Sequence, residues 1–204
     1  MHETKYQLKV INYSKNYGDI CVFQTLPDQP DNLLSLAWFS KAVHPNTAVE
    51  FNWSMDYSFT WTESEALRPG AVFSAEEEKK INLEVPAKTA SALSVSNEDK
   101  PFFKQTEQTV PAGEIGILTD QTMTGEDYAI GINVAGAPAF AMQAEPDLHF
   151  TFRPHPQYWV ALGDFKKGEV LPPEIMEDAV PIDLNETVSA CKLTLSPDGA
   201  ITVP

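Results

Sequence analysis

The chain has 204 residues, and its 29 acidic and 14 basic side chains give a formal net charge of −15. A field of this sign repels phosphate backbones and anionic lipid headgroups, so the composition predicts no nucleic acid partner and no membrane partner. Sixteen prolines and ten glycines favour frequent chain reversals between short strands over long helices. The N-terminal segment lacks the basic start and apolar block of a signal peptide, which predicts a cytoplasmic protein.

The first quarter of the chain has the pattern of strands separated by polar turns. Tyr6, Leu8 and Val10 alternate with polar residues, which predicts an opening strand. Residues 20–26 predict a second strand, and the polar, turn-rich stretch 12–19 between the two indicates a hairpin with a longish loop. The nearly continuous apolar run 33–39 predicts a strand that is covered on both faces.

The stretch 47–63 is predicted to form the centre of the core. Because successive side chains of a strand point to opposite faces, alternation gives a strand one apolar and one polar face. The joint between the two runs of this stretch is short enough for a hairpin loop, so we expect them to pair and to bury their large side chains between two layers. Those side chains are Val49, Phe51, Trp53, Tyr57, Phe59 and Trp61.

The rest of the chain continues the β pattern. The charged segment 75–80 predicts an exposed edge or a single helical turn. The alternating segment 81–85 predicts a strand, and the charged, proline-rich segment 163–187 predicts a surface excursion. Further strands are predicted at 93–95, 102–103, 115–118, 128–134, 148–153, 158–162, 188–195 and 200–203.

Roughly a dozen short strands with turn-rich spacing and little helix predict one all-β domain over residues 1–204. The expected architecture is an antiparallel two-sheet β-sandwich that is jelly-roll-like. Two cysteines, Cys21 and Cys191, are too few for a disulfide framework, so buried free thiols are expected. A bridge between them would require the first and last strands to lie side by side.

Motifs for nucleophiles, phosphate loops and zinc ligands are absent from the sequence, so we predict a protein that is not an enzyme and has no cofactor. An unrecognised hydrolase remains an alternative. It would use Cys191 with one of the four histidines, or the acid pair Glu63 and Glu65.

Two surfaces are candidates for binding. If alternate residues of 148–162 face the core, then His149, Arg153 and Trp159 project outward together. An exposed indole ring beside polar groups suits a carbohydrate, because ring faces stack on the apolar faces of sugars. The small-residue segment 135–142 is either a surface for self-association or a tight internal packing site.

Several sequence blocks resemble one family of bacterial proteins. The blocks are GDICVFQT (18–25), LAWFSK (36–41), FNWSMDYSFTWTE (51–63), FSA (73–75) and FRPHPQYWV (152–160). Through them the chain resembles the RhiA proteins, the rhizosphere-expressed proteins of rhizobia and their relatives in other bacteria. The resemblance covers residues 8–164. It implies an association with bacterial communities near plants and population-dependent expression, and it assigns no activity, cofactor or catalytic residue.

These observations favour a non-enzymatic bacterial protein that acts as a structural or interaction protein and assembles with itself as a homo-oligomer. The alternative is a carbohydrate-binding, lectin-like module that uses His149, Arg153 and Trp159.

Overall fold

A computed structural model describes residues 5–63, 66–85, 90–95, 100–104, 106, 109–111, 113–123, 127–185 and 187–203. Within these ranges the regular secondary structure consists of strands apart from one helix of four residues. No helix in the described ranges is long and apolar enough to cross a membrane.

The strands are short and follow one another closely. Those of the first half are β1 (Lys5–Asn12), β2 (Gly18–Thr25), β3 (Leu34–Ser35), β4 (Phe39–Val43), β5 (Ala48–Ser54), β6 (Tyr57–Glu63), β7 (Glu77–Lys80), β8 (Ala90–Val95) and β9 (Pro101–Lys104). The second half contains β10 (Ile115–Thr119), β11 (Tyr128–Val134), β12 (Ala137–Gln143), β13 (His149–Phe152), β14 (Gln157–Leu162), the helix α1 (Ile175–Asp178), β15 (Val180–Ile182), β16 (Ala190–Leu195) and β17 (Ile201–Thr202).

The described strands form four sheets. The first sheet has the order β17-β16-β1-β5, the second β15-β14-β2-β4, the third β3-β12-β11-β6-β7 and the fourth β13-β10-β8-β9. Neighbouring strands are antiparallel except in the pairs β1–β16 and β8–β10, which are parallel. The predicted all-β class is therefore confirmed, whereas the jelly-roll-like arrangement of two sheets is not.

The two aromatic runs of residues 47–63 do not form the predicted hairpin. β5 pairs with β1, which places Trp53 opposite Tyr6, whereas β6 pairs with β11 in the third sheet. The short joint at Met55 and Asp56 carries the chain from one sheet to another, because each run finds its partner far away in the sequence. The predicted interior position of the rings is nevertheless confirmed. The buried members are Phe51, Trp53, Tyr57, Phe59 and Trp61, each 7% exposed or less.

Other predicted pairings near the N-terminus are also wrong. β1 lies between β16 and β5, and β2 lies between β14 and β4, so the two strands do not form a hairpin. The run 33–39 contains only the two-residue β3 and the start of β4. Residues 81–85 form a turn, in which the side chain of Asn82 accepts a hydrogen bond from the Glu84 N–H at 3.0 Å. The charged segment 75–80 does form the expected exposed edge, as β7.

One contiguous hydrophobic cluster draws on all four sheets. The fully buried Trp38 lies in it, and its Nε1 donates a hydrogen bond to the Val134 carbonyl at 2.8 Å. The Trp38 ring lies 5.2 Å from the ring of Trp53 and 6.2 Å from that of Tyr158. Burying an aromatic side chain of this kind stabilises the fold by about 1.5–3 kcal/mol. The sheets are therefore joined by their side chains rather than by hydrogen bonds between strands.

Two segments with uncertain roles in the sequence differ in burial, since most of 163–187 is exposed or half-buried and most of 135–142 is buried. The predicted surface excursion 163–187 contributes the buried residues Val170 and Leu171, and Val170 forms a β-bridge with Leu36. The small-residue segment 135–142 forms most of β12, which is buried between β3 and β11. Of its two predicted roles, the structure places this segment in internal packing, so it is not available as a surface for self-association.

Candidate ligand-binding site

Trp159 lies in an open depression on the second sheet. It belongs to β14, where it is opposite Phe23 of β2 and Pro181 of β15. The depression has a volume of about 440 Å³, which is within the range of sites for small organic ligands. The buried residues Phe23 and Leu171 and the exposed Met176 of α1 also line the depression.

The ring and the wall of this depression are held in place by hydrogen bonds. The indole Nε1 donates to the hydroxyl of Thr25 at 2.9 Å. The loop after β2 is braced by Gln29, whose amide oxygen accepts from the Leu26 N–H at 3.0 Å and whose amide nitrogen donates to the Leu33 carbonyl at 2.6 Å. Because the braced wall and the fixed ring have little conformational freedom left to lose, a ligand at this depression would cost little conformational entropy.

Trp159 is the most accessible of the four tryptophans. Trp38, Trp53 and Trp61 are 0%, 5% and 7% exposed, whereas Trp159 is only half-buried. A half-buried indole inside a depression presents ring surface that a ligand can cover. Any change in tryptophan fluorescence on binding at this depression would therefore report on Trp159.

Polar groups surround the Trp159 ring. The amide of Gln157, two residues earlier on β14, is exposed and lines the depression. The carboxylate of Asp31 lines the opposite wall and is also exposed. The Gln157 amide can both donate to and accept from a hydroxyl group, whereas the Asp31 carboxylate accepts from it. An aromatic surface flanked by such groups is suited to a ligand with apolar faces and many hydroxyl groups.

His149 and Arg153 lie on a second groove, of about 600 Å³, between β13 and the loop after β2. The Nε of Arg153 is 3.3 Å from the Oε1 of Glu114, and the arginine side chain is 72% exposed. An exposed ion pair of this kind contributes about 0–1 kcal/mol. Phe150 and Phe152 also line the groove, with their rings stacked 5.8 Å apart.

The structure divides the predicted patch between these two depressions. β13 belongs to the fourth sheet and β14 to the second sheet, so the two strands are not the arms of one hairpin. Leu162, which was expected to face the core, is 39% exposed. The expectation that His149, Arg153 and Trp159 project together on one face is therefore wrong. The binding role of the three residues stays a prediction.

A third depression, of about 580 Å³, is lined by Tyr6, Tyr57 and Tyr158, which come from three different sheets. Burial raises the pKa of Tyr57, and it raises the pKa of Tyr158 to about 12, so both phenols stay protonated near neutral pH. The Tyr57 hydroxyl donates to the Pro154 carbonyl at 3.4 Å, and that of Tyr158 donates to the Met55 thioether at 3.0 Å. The phenols of this tyrosine pocket therefore act as neutral hydrogen-bonding groups.

Sequence reasoning missed the tyrosine pocket, because its three rings lie on strands that are far apart in the chain. One signal was present. Tyr6, Tyr57 and Tyr158 all occupy positions that the alternation assigns to the interior, and a buried tyrosine usually needs a partner or a polar cavity for its hydroxyl group.

Neither cysteine has the lowered pKa of an activated nucleophile. Both cysteines are free thiols, on strands of different sheets. Burial raises the pKa of Cys21 to about 12 and also raises the pKa of Cys191. A cysteine nucleophile requires the opposite shift. Glu63 ends β6 in an exposed position, whereas Glu65 lies outside the described residues.

The fold and its depressions define a nearly all-β protein with several open, ligand-sized cavities. The RhiA family profile matches residues 3–204, so the chain belongs to the RhiA family. Over 162 residues the chain is 29% identical to Protein RhiA of Rhizobium leguminosarum bv. viciae, an alignment that covers 78% of this chain and 68% of that protein. No solved structure matches the chain. The resemblance inferred from the sequence blocks is confirmed.

Proposed function

We propose that this RhiA-family protein is a non-enzymatic binding protein whose Trp159 depression takes a carbohydrate. The observation that carries the proposal is the half-buried indole of Trp159 in a depression with braced walls. The ring offers an apolar surface to one face of a sugar, and the exposed groups of Gln157 and Asp31 offer hydrogen bonds to its hydroxyls.

Direct titration tests this function. The full chain is titrated with five hexaoses: cellohexaose, maltohexaose, xylohexaose, mannohexaose and chitohexaose. Binding is followed by tryptophan fluorescence and by calorimetry. We expect at least one of these sugars to shift or quench the emission, because three of the four tryptophans are buried and Trp159 is the accessible one. The proposal is wrong if none of the five produces heat or a fluorescence change.

Substitutions locate the binding. Trp159→Ala should abolish binding, and the readout must be calorimetric because the substitution also removes the reporter. Gln157→Ala leaves the indole in place and should weaken affinity about two- to tenfold, the loss of one hydrogen bond. Tyr17→Ala is the matched control, since Tyr17 is 58% exposed and does not line the depression. Unchanged affinity in a folded Trp159→Ala variant would exclude the depression as the binding site.

Self-association is a second candidate, and one feature of the surface favours it. β9 is an edge of the fourth sheet among the described strands, and its Phe102 is 41% exposed. An unpaired edge with an exposed apolar side chain can pair with another copy of the chain. The edge strand β7, by contrast, consists of two glutamates and two lysines, which oppose such pairing.

Light scattering after size exclusion tests self-association. The wild-type chain should elute with at least twice the monomer mass, and Phe102→Glu should return it to the monomer. Tyr13→Glu is the control, because Tyr13 is 53% exposed and lies on another part of the surface. A monomeric mass at high protein concentration would rule this candidate out.

A further inference from the structure

The three depressions adjoin one another. The loop after β2 forms a wall of both the Trp159 depression and the groove of His149 and Arg153, and Pro30 lines both. His155 in turn lines both that groove and the tyrosine pocket. The Pro154–Pro156 turn, between β13 and β14, therefore separates the last two depressions. Together the depressions form a series that follows the loop after β2 and this turn.

Each depression is lined by aromatic residues. The ring of Trp159 in the first is half-buried, whereas the stacked rings of Phe150 and Phe152 in the second and the tyrosines of the third are each 8% exposed or less. Each also has exposed polar groups at its rim, among them Gln157 in the first, His149 in the second and Asn185 in the third. Volumes of about 440, 600 and 580 Å³ are each within the range for small organic ligands. A ligand that repeats one chemical unit would match this repetition.

The charges of the series disfavour an anionic ligand. Among the described lining residues Arg153 is the one permanent cation, and Glu114 pairs with it at 3.3 Å. The net charge of −15 repels polyanions over longer distances. The pKa values of Tyr57 and Tyr158 are raised, so the phenols of the third depression carry no charge near neutral pH.

We propose that the three depressions are subsites of one groove, which binds the interior of a neutral glycan chain several sugar units long. The inference rests on the proposed function, because the first subsite is the Trp159 depression. The chain would begin at Trp159, cross the loop after β2 at Pro30, continue past His149 and reach Asn185 in the tyrosine pocket.

A length series tests the inference. The two-, four- and six-unit members of the responding hexaose series are titrated into the full chain by calorimetry. Affinity should rise with each step, with the six-unit member binding at least about tenfold more tightly than the two-unit member, since each added subsite contributes its own hydrogen bonds. Asn185→Ala and His149→Ala should weaken binding of the six-unit member about two- to tenfold and leave the two-unit member unchanged.

The outcomes separate the inference from the proposed function. Equal affinity for the two-unit and six-unit members, lost in Trp159→Ala, would overturn the extended groove and leave a single sugar site at Trp159. Length-dependent affinity that neither Asn185→Ala nor His149→Ala reduces would also overturn it, because the added units would then lie elsewhere. Absence of binding by every member would overturn both. Tyr17→Ala, which should bind all three lengths as the wild type does, is the control for general effects of substitution.

Discussion

β5 and β6 carry the same alternation of aromatic and polar residues, yet their polar faces differ in burial. In β5, an edge of the first sheet, Glu50 and Asn52 are exposed. In β6, inside the third sheet, Ser58 and Thr60 are buried, because a second layer that includes Phe73 packs over that face. A charged or amide side chain resists burial, whereas a small hydroxyl group costs less to bury. In β5 and β6 the kind of polar residue, rather than the alternation, differs between the strand with one covered face and the strand with two, although the amides of Gln24 and Asn133 are buried on other strands.

The largest expected difference between the strands comes from removing a ring. Phe59 of β6 is fully buried, so Phe59→Ala should lower the free energy of unfolding by about 3–5 kcal/mol. Val49 of β5 is half-buried at a sheet edge, so Val49→Ala should cost less than about 2 kcal/mol. Urea denaturation measures both values. Equal losses would contradict the difference in size and burial between Phe59 and Val49.

The cover over β6 can be tested at Gly131 of β11. A Cβ there would lie 2.5 Å from the Phe73 ring and 2.8 Å from Cγ2 of Thr60. Gly131→Ala should therefore destabilise the fold by about 1–3 kcal/mol through overpacking. Phe73→Leu in the same chain should recover part of that loss, a coupling that a double-mutant cycle in urea detects. Asn52→Ala on the exposed face of β5 is the control and should change stability by less than about 0.5 kcal/mol.

Alkaline pH should weaken the β6 side of the core through Tyr57. Burial raises the pKa of Tyr57 above its usual value of about 10, so the folded state keeps the proton that the unfolded state releases. The stability contributed by the neutral phenol is complete below about pH 10 and is lost as the pH rises above it. Between pH 8 and pH 11 the wild type should lose about 1.4 kcal/mol more than Tyr57→Phe. Identical losses in urea titrations would show that Tyr57 ionises freely in the folded protein.

The smallest expected effects come from two hydroxyl groups on the covered face of β6. Ser58 Oγ donates to Glu78 Oε1 at 2.6 Å, so Ser58→Ala should cost about 1 kcal/mol. Thr60 Oγ1 is buried and has no hydrogen-bond partner among the residues that the structure describes, so the isosteric Thr60→Val should be neutral or stabilising by up to about 1 kcal/mol. The melting temperatures of the two variants should shift in opposite directions, or the two shifts should differ clearly in size. A Thr60→Val variant that is as destabilised as Ser58→Ala would contradict the view that the Ser58 hydroxyl is hydrogen-bonded and the Thr60 hydroxyl is not.

The sequence predicted most strands but few of their partners. Period-two alternation is local, and it identified β1, β6, β11 and β13 because each has at least one face in the core. Pairing depends on contacts between distant segments, so the hairpins expected at β1–β2 and β5–β6 are replaced by long-range pairs. The segment 81–85 alternates as well, but it forms a turn around Asn82.

The sequence predicts individual residues of the candidate site but not which of them lie together. Trp159 was identified as an outward-facing aromatic residue, and it does line an open depression. Its grouping with His149 and Arg153 failed because β13 and β14 join different sheets. The wall that makes the depression, held by Gln29, depends on hydrogen bonds in an irregular loop, and no periodic pattern encodes them.

The parallel contact between β1 and β16 has a consequence for biosynthesis. Leu8 lies opposite Cys191, a separation of about 180 residues along the chain. At about 5–20 residues per second, a ribosome needs roughly 9–36 s to deliver the partner of a strand that emerged first. Throughout that delay one side of β1 has no neighbouring strand. Its unpaired N–H and C=O groups can then form hydrogen bonds with a strand of another chain. The nascent polypeptide is therefore most prone to aggregate before translation ends, and slowing its elongation should lower the soluble yield.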